Sequence, residues 1–176
     1  KTLAARSPAL PGRMPLASNE TLALKAWREL LAAAPNAEQR ARAMRRLGDL
    51  EMDHTDAQLA QGEGNTATGN PDYRQAIAQY QAYLKAYPQD PANDLVLYQL
   101  ARAHEQGGDL DTALKVITQL VSQYPQTKHL DEAQFRRGEL LFTARQYPQA
   151  EAAYAAVLAS PRHTPYRERA LYMQGW

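Results

Sequence analysis

The sequence predicts an all-α protein built from antiparallel helix pairs stacked side by side. Three observations predict it. Alanines at Ala76, Ala113 and Ala150 fall at a constant 37-residue step, each followed four residues later by a bulky side chain, Tyr80, Ile117 or Tyr154. Between these stretches, the small residues Ala101, Gly138 and Gly175 and the aromatics Tyr98, Phe135 and Tyr172 recur at the same step. Apolar positions such as Leu97, Leu100, Ala101 and His104, or Ala76, Tyr80, Tyr83 and Leu84, are spaced by three and four, which is helical rather than strand periodicity.

Taken in chain order, residues 1–18 read as an irregular segment and residues 19–176 as an array of three to four helix pairs. Leu22–Pro35 matches the second-helix stretches, with Ala23 and Trp27 in the alanine and bulky places. Glu38–Met52 matches the first-helix stretches, with Gly48 in the small position. An insertion near residues 53–72 then interrupts the period. Its first part, to about Ala60, can prolong the helix; Gly62–Asp72, rich in Gly, Asn and Thr, reads as a mobile loop. Tyr73–Pro88 is a second helix, and Pro88 closes it because proline cannot continue the hydrogen-bond ladder. Asn93 and Asp94 are expected to cap the next first helix, Asp94–Gln106. Gly107, Gly108 and Asp109 break that helix and cap Leu110–Pro125. Asp131–Thr143 and Tyr147–Pro161 repeat the pair, and Arg167–Trp176 begins one more, so the last repeat is expected to be truncated. A lone pair cannot hide its apolar face, so the copies must stack, and small residues at Gly48, Ala101, Gly138 and Gly175 let paired helices approach closely.

Composition narrows the function classes. Twenty basic and nineteen acidic residues give a formal charge of +1, which argues against a nucleic-acid partner. The Arg40, Arg42, Arg45 and Arg46 cluster reads as a solvated helix face interleaved with Glu38, Asp49 and Glu51. The absence of cysteine removes disulfides, thiolate metal sites and cysteine nucleophiles. No apolar run reaches the roughly 20 residues of a transmembrane helix. His54, His104, His129 and His163 lie on separate elements and form no H-E-x-x-H motif, and Asp53, His54 and Asp56 are the only compact acid–histidine cluster. No catalytic residue, cofactor or metal is expected.

The residues quoted above resemble the tetratricopeptide repeat, W-x2-L-G-x2-Y followed by A-x3-F and a later proline. Asp94–Pro125 is the clearest copy, with Leu97, Leu100, Ala101, His104, Ala113, Ile117 and Pro125 in the motif places; the next copy puts Gln134 where a large apolar residue is expected. The period is 37 residues against the usual value of about 34. The extra three lie between the proline and the next first helix. This lengthened link, with Tyr-Pro before it, is similar to periplasmic tetratricopeptide lipoproteins of the BamD/YfiO-like group.

The resemblance implies a right-handed superhelical solenoid that scaffolds a protein or peptide partner in its concave groove, in a bacterial cell-envelope assembly or export complex. It implies a periplasmic location, associated with the outer membrane, with the cytoplasm as the alternative. The chain starts at Lys1, and a lipid anchor is expected to have been lost with a preceding segment.

In such arrays the first helix of each pair lines the groove. That places Arg45, Tyr98, Phe135 and Tyr172 in one column and Asp49, Arg102, Glu139 and Trp176 in the next, with Phe142 following at helical spacing. The rings have two readings: a wall for a partner, or packing against the preceding repeat. Two alternative functions stand beside the scaffold: the recognition arm of a larger enzyme, and a homo-oligomerising module.

Overall fold

The computed structural model describes residues 16–33, 36–62 and 69–175. Among them run eight helices: α1 (Leu16–Ala33), α2 (Ala37–Ala60), α3 (Arg74–Ala86), α4 (Asn93–Gln106), α5 (Leu110–Gln123), α6 (Leu130–Thr143), α7 (Tyr147–Ala159) and α8 (Tyr166–Gln174). The most extensive contacts join α2 to α3, α4 to α5 and α6 to α7 as antiparallel hairpins; α1 packs on α2 and α8 on α7. Contacts also join α2 to α4 and α6 to α8, so the first helices α2, α4, α6 and α8 form one row and the second helices α1, α3, α5 and α7 the other. This is the stacked all-α solenoid the periodicity predicts. Of the segment read as irregular, residues 1–15 lie outside the described residues, and α1 begins at Leu16.

Local chemistry sets most helix ends. Asn36 caps α2 by accepting from the Gln39 amide at 2.9 Å, and Asp109 caps α5 by accepting from Thr112 at 3.1 Å. Gly108 turns the α4–α5 corner with φ +87°. At the equivalent α6–α7 corner Arg145 takes φ +59°, a left-handed conformation that a side chain disfavours. The expected cap by Asn93 and Asp94 is corrected. Helix α4 begins at Asn93 itself, without a side-chain cap bond, and Asn93 Nδ2 donates back to the Tyr87 carbonyl at 2.9 Å. The turn before it is held instead by Asp90, whose carboxylate accepts from the Ala92 amide at 2.9 Å.

Within each hairpin, the small residue of the first helix receives a ring or branched side chain from the second. A Cβ built on Gly48 would stand 2.5 Å from Tyr80 Cε1, and one on Gly138 would stand 2.5 Å from Tyr154 Cε1. Where the second helix offers the slimmer Ile117, the first carries Ala101, and both are buried in one cluster. Gly175 differs, since a Cβ there would meet only carbonyls of its own helix. Gly48 lies 32 residues before Tyr80, whereas Gly138 lies 16 before Tyr154, so the insertion falls inside the first hairpin without disturbing its packing.

The described parts of the insertion are anchored at both ends. Its first half continues α2 to Ala60. Thr55 Oγ1 donates to the Asp72 carbonyl at 3.1 Å, and the Tyr73 hydroxyl donates to Asp56. Asn70 rests on the α4–α5 corner, 2.7 Å from where a Cβ on Gly108 would be. The expected mobility of Gly62–Asp72 concerns a segment of which residues 63–68 lie outside the described residues.

The lengthened links carry their own repeated bonds. Thr127 Oγ1 donates to Asp94 Oδ2 at 2.6 Å, and 37 residues on Thr164 Oγ1 donates to Asp131 Oδ2 at 3.1 Å. Each ties the link before one first helix to the start of the preceding one. At the first junction the polarity reverses. Ala41 stands where the others have aspartate, and Asp90 in the threonine place accepts from Arg45, one turn along, at 3.1 Å.

Candidate partner-binding face

The face in question is the row α2, α4, α6 and α8. Its residues follow from two positions on each first helix: one three residues before the small residue, and one directly after it. The expected column divides into buried and exposed members.

Arg45 is half-buried. Its guanidinium donates to the Tyr83 hydroxyl at 3.2 Å and lies 5.4 Å from that ring's centroid, besides pairing with Asp90. Burial opposes its charge, but Tyr83 and Asp90 outweigh it and raise its pKa. Burial pushes the Tyr83 hydroxyl up to about 12. Tyr98, 7% exposed, and Phe135, 2% exposed, are buried between repeats. Tyr98 donates to Glu132, accepts from Arg136 Nε at 3.0 Å, and stacks on His129 at 5.8 Å. Phe135 packs against Tyr154 and Tyr166, with the Arg169 guanidinium 4.7 Å from its centroid. The reading of these two rings as an open wall therefore gives way to repeat packing, because their neighbours already cover both. Tyr172, 64% exposed, and Phe142, 37% exposed, face solvent; Phe142 sets its ring edge-on to Tyr147 at 5.3 Å. Trp176 lies outside the described residues.

The charged column is interleaved with packing groups. Asp49 Oδ1 accepts from the buried Tyr80 hydroxyl at 2.7 Å. Arg102 donates to Gln99 at 2.9 Å, and its charge acts from α4 on the hydroxyls of Tyr73, at the start of α3, and Tyr80 of α3. Glu139 faces Arg169 at 3.9 Å. Burial raises the Glu139 pKa against the pull of Arg169 and Arg136. The structure thus alternates acid, base and acid along the row.

Residues outside the expected set complete the surface. Arg136 bridges Glu105 on α4 and Glu132 on α6, each at 3.5 Å. Burial works against the Glu132 carboxylate, but Tyr98, Tyr166 and Arg136 hold its pKa below the ordinary value. The spacing of four between Glu132 and Arg136 was the one signal in the sequence that could have found this pair. Its reach to Tyr98 and Glu105 depends on the stacking of repeats. Between α6 and α8 a cleft of about 410 Å³ is lined by Phe135, Glu139, Glu168, Arg169, Tyr172 and Met173. It brings together three of the expected residues, Phe135 as floor, Glu139 as acid and Tyr172 as exposed ring.

No group of three or more His, Cys, Asp or Glu side chains among the described residues is placed to hold a metal ion. The Asp53, His54 and Asp56 cluster is not such a site, and Asp56 takes the Tyr73 proton donor instead. No helix among the described residues is long and apolar enough to cross a membrane.

Comparison with known proteins agrees with this geometry. Residues 62–127, spanning α3 to α5, match the tetratricopeptide repeat model. No curated protein matches the sequence. Among solved structures, the tetratricopeptide domain of P58(IPK) aligns over 90% of this chain with a TM-score of 0.51 and 14% identity. This chain spans 42% of that structure's length. The fold is a tetratricopeptide-type helical array, with residues 62–127 matching the repeat itself.

Proposed function

We propose that this protein is a non-catalytic scaffold that holds a peptide or partner protein on the row of first helices. The observation that carries the reading is the α6–α8 cleft. It combines an apolar floor at Phe135, an exposed ring at Tyr172, an acid at Glu139 and a base at Arg169. An extended segment or an amphipathic helix can seat an apolar side chain on the rings and set polar groups against the flanking charges. The α2 and α4 part of the row, with Asp49 and Arg102, continues the same alternation.

The setting we propose is a periplasmic, outer-membrane-associated assembly or export complex, with the full-length protein lipid-anchored. What supports it is the resemblance of the lengthened link, with Tyr-Pro before it, to envelope lipoproteins of the BamD/YfiO-like group. The test is quantitative capture from periplasmic and membrane extracts. The double variant Tyr172→Ala, Arg169→Ala is compared with Lys115→Ala on the opposite row. The reading expects proteins lost by the first and kept by the second; equal capture by both would remove the cleft from the binding surface.

A further inference from the structure

The second helices α3, α5 and α7 are not joined to one another in the same way. Helices α3 and α5 both pack on α4, and a groove of about 730 Å³ opens between them. Its floor is apolar. Leu97 and Leu100 of α4 are 2% and 4% exposed, and Leu84 of α3 is half-buried beside them. Its walls carry neutral amides, Gln81 on α3 and Gln119 and Gln123 on α5, all exposed. At the next junction, 37 residues on, the chain bridges the same place with its own side chain. Arg137 stands where α4 has Leu100, and its Nε donates at 3.1 Å to Oγ1 of Thr118, which stands in the place of Gln81. Ala156 and Ser160 there replace Gln119 and Gln123. Leu100 has no donor to reach across with, so the α3–α5 groove stays open.

The hydrogen-bonding groups left in this groove are those a peptide backbone matches. Gln119 Nε2 donates to Gln123 Oε1 at 3.2 Å, which leaves the Gln119 carbonyl and the Gln123 amide nitrogen to face a ligand. At the link end stands Asn93, 2% exposed. Its Nδ2 donates to the Tyr87 carbonyl at 2.9 Å, while its Oδ1 is buried with no hydrogen-bond partner among the described residues. Lys85 alone is charged among the described residues that line the groove, so a cationic ligand meets no carboxylate there. The geometry points to a second binding site, in which an uncharged, extended segment of a partner protein lies between α3 and α5. Each residue of such a segment offers a free N–H and C=O, and a primary amide both donates and accepts. A helix keeps its backbone groups bonded to itself and would leave the amide walls unmatched. An apolar side chain of the segment rests on the leucine floor, and a backbone N–H supplies the donor that Asn93 Oδ1 lacks. The site lies on the opposite row from the α6–α8 cleft and stands independently of it.

The test borrows its variants from the next junction. Gln119→Ala with Gln123→Ser exchanges the α5 wall at two exposed positions, where the fold is not at risk. Leu100→Arg with Gln81→Thr transplants the arginine bridge; should it fail to fold, the wall variant decides alone. Random linear peptides displayed on phage are selected on the 176-residue chain. Clones rich in neutral and apolar residues, and poor in Lys and Arg, should emerge. Their capture should fall at least about tenfold on the wall variant and on the folded bridge variant. It should persist on Tyr172→Ala with Arg169→Ala, which separates this site from the cleft. A synthetic copy of the strongest clone should shift the side-chain amide NMR signals of Gln81 and Asn93. The inference is overturned if no clone distinguishes the wild type from the wall variant, or if the enriched clones are basic. It is equally overturned if those amide signals ignore the peptide and move instead with a linear oligosaccharide such as maltopentaose.

Discussion

The Tyr154 ring occupies the space that a side chain on Gly138 would need: a Cβ at 138 would stand 2.5 Å from Cε1 and 2.8 Å from Cδ1. The ring cannot retreat, because Tyr154 is fully buried and Phe135 packs on it at 5.8 Å. Gly138→Ala is therefore expected to destabilise the protein by about 1–3 kcal/mol through overpacking. Adding Tyr154→Ile recreates the Ala101–Ile117 combination of the middle repeat and should recover part of the loss. Urea denaturation of the two single variants and the double variant measures it, and a coupling energy near zero would show that the two sites do not share this space.

The bond from Thr127 Oγ1 to Asp94 Oδ2 is the bolt between the second and third repeats. Thr127→Val keeps the shape and removes the donor, leaving a half-buried carboxylate without it. The expected loss is about 1 kcal/mol, seen as a lower urea midpoint with unchanged slope. The same substitution at Gln126, exposed and beside it, should change stability by less than about 0.5 kcal/mol.

Arg145 holds φ +59° at a corner where the middle repeat has Gly108. Its side chain is exposed, so little packing is lost on its removal. Arg145→Gly should stabilise the protein by about 0.5–1 kcal/mol, the relief of left-handed strain exceeding the added freedom of the unfolded chain. Thermal melting reads it as a rise in Tm.

His104 gives the protein an acid-side weakness. Burial lowers its pKa below the ordinary 6.5, only partly opposed by Asp109, whose Oδ2 lies 3.6 Å from Nδ1. Its Nε2 is buried with no hydrogen-bond partner among the described residues. The unfolded imidazole takes up a proton at higher pH than the folded one, so stability falls as pH drops through about 6.5 and levels off below the folded pKa. The carboxylates of Asp90, Asp109 and Glu132, held below their ordinary values of 3.8, 3.8 and 4.5, weaken the fold only in a separate, more acidic range. Between pH 7.5 and 5.5, the wild-type Tm should fall more than that of His104→Phe; parallel declines would remove His104 as the cause.

Several of these features were legible before the structure. The small-residue hollows, the corner at Gly108 and the extension of α2 to Ala60 all rest on local spacing or local backbone chemistry, which a sequence displays directly. The threonine bolts were not legible, because Thr127 and Asp94 lie 33 residues apart and meet only when repeats stack. Tyr98 and Phe135 failed as an exposed wall for a related reason. Their position on the helix is right for the groove, but Glu132, Arg136, His129, Tyr166 and Arg169 close over them from neighbouring elements. Truncating those two buried rings would disturb the core, and with Phe135 the cleft floor as well, so it would not test the groove by itself.

The scaffold reading is tested most directly through the exposed residues of the cleft. Capture from periplasmic and membrane extracts is compared among the wild type, Tyr172→Ala with Arg169→Ala, and Lys115→Ala, all with matched circular dichroism. The account predicts that the partners enriched by the wild type fall away with the first variant and persist with the second. A captured set that is unchanged by the loss of Tyr172 and Arg169 would contradict it.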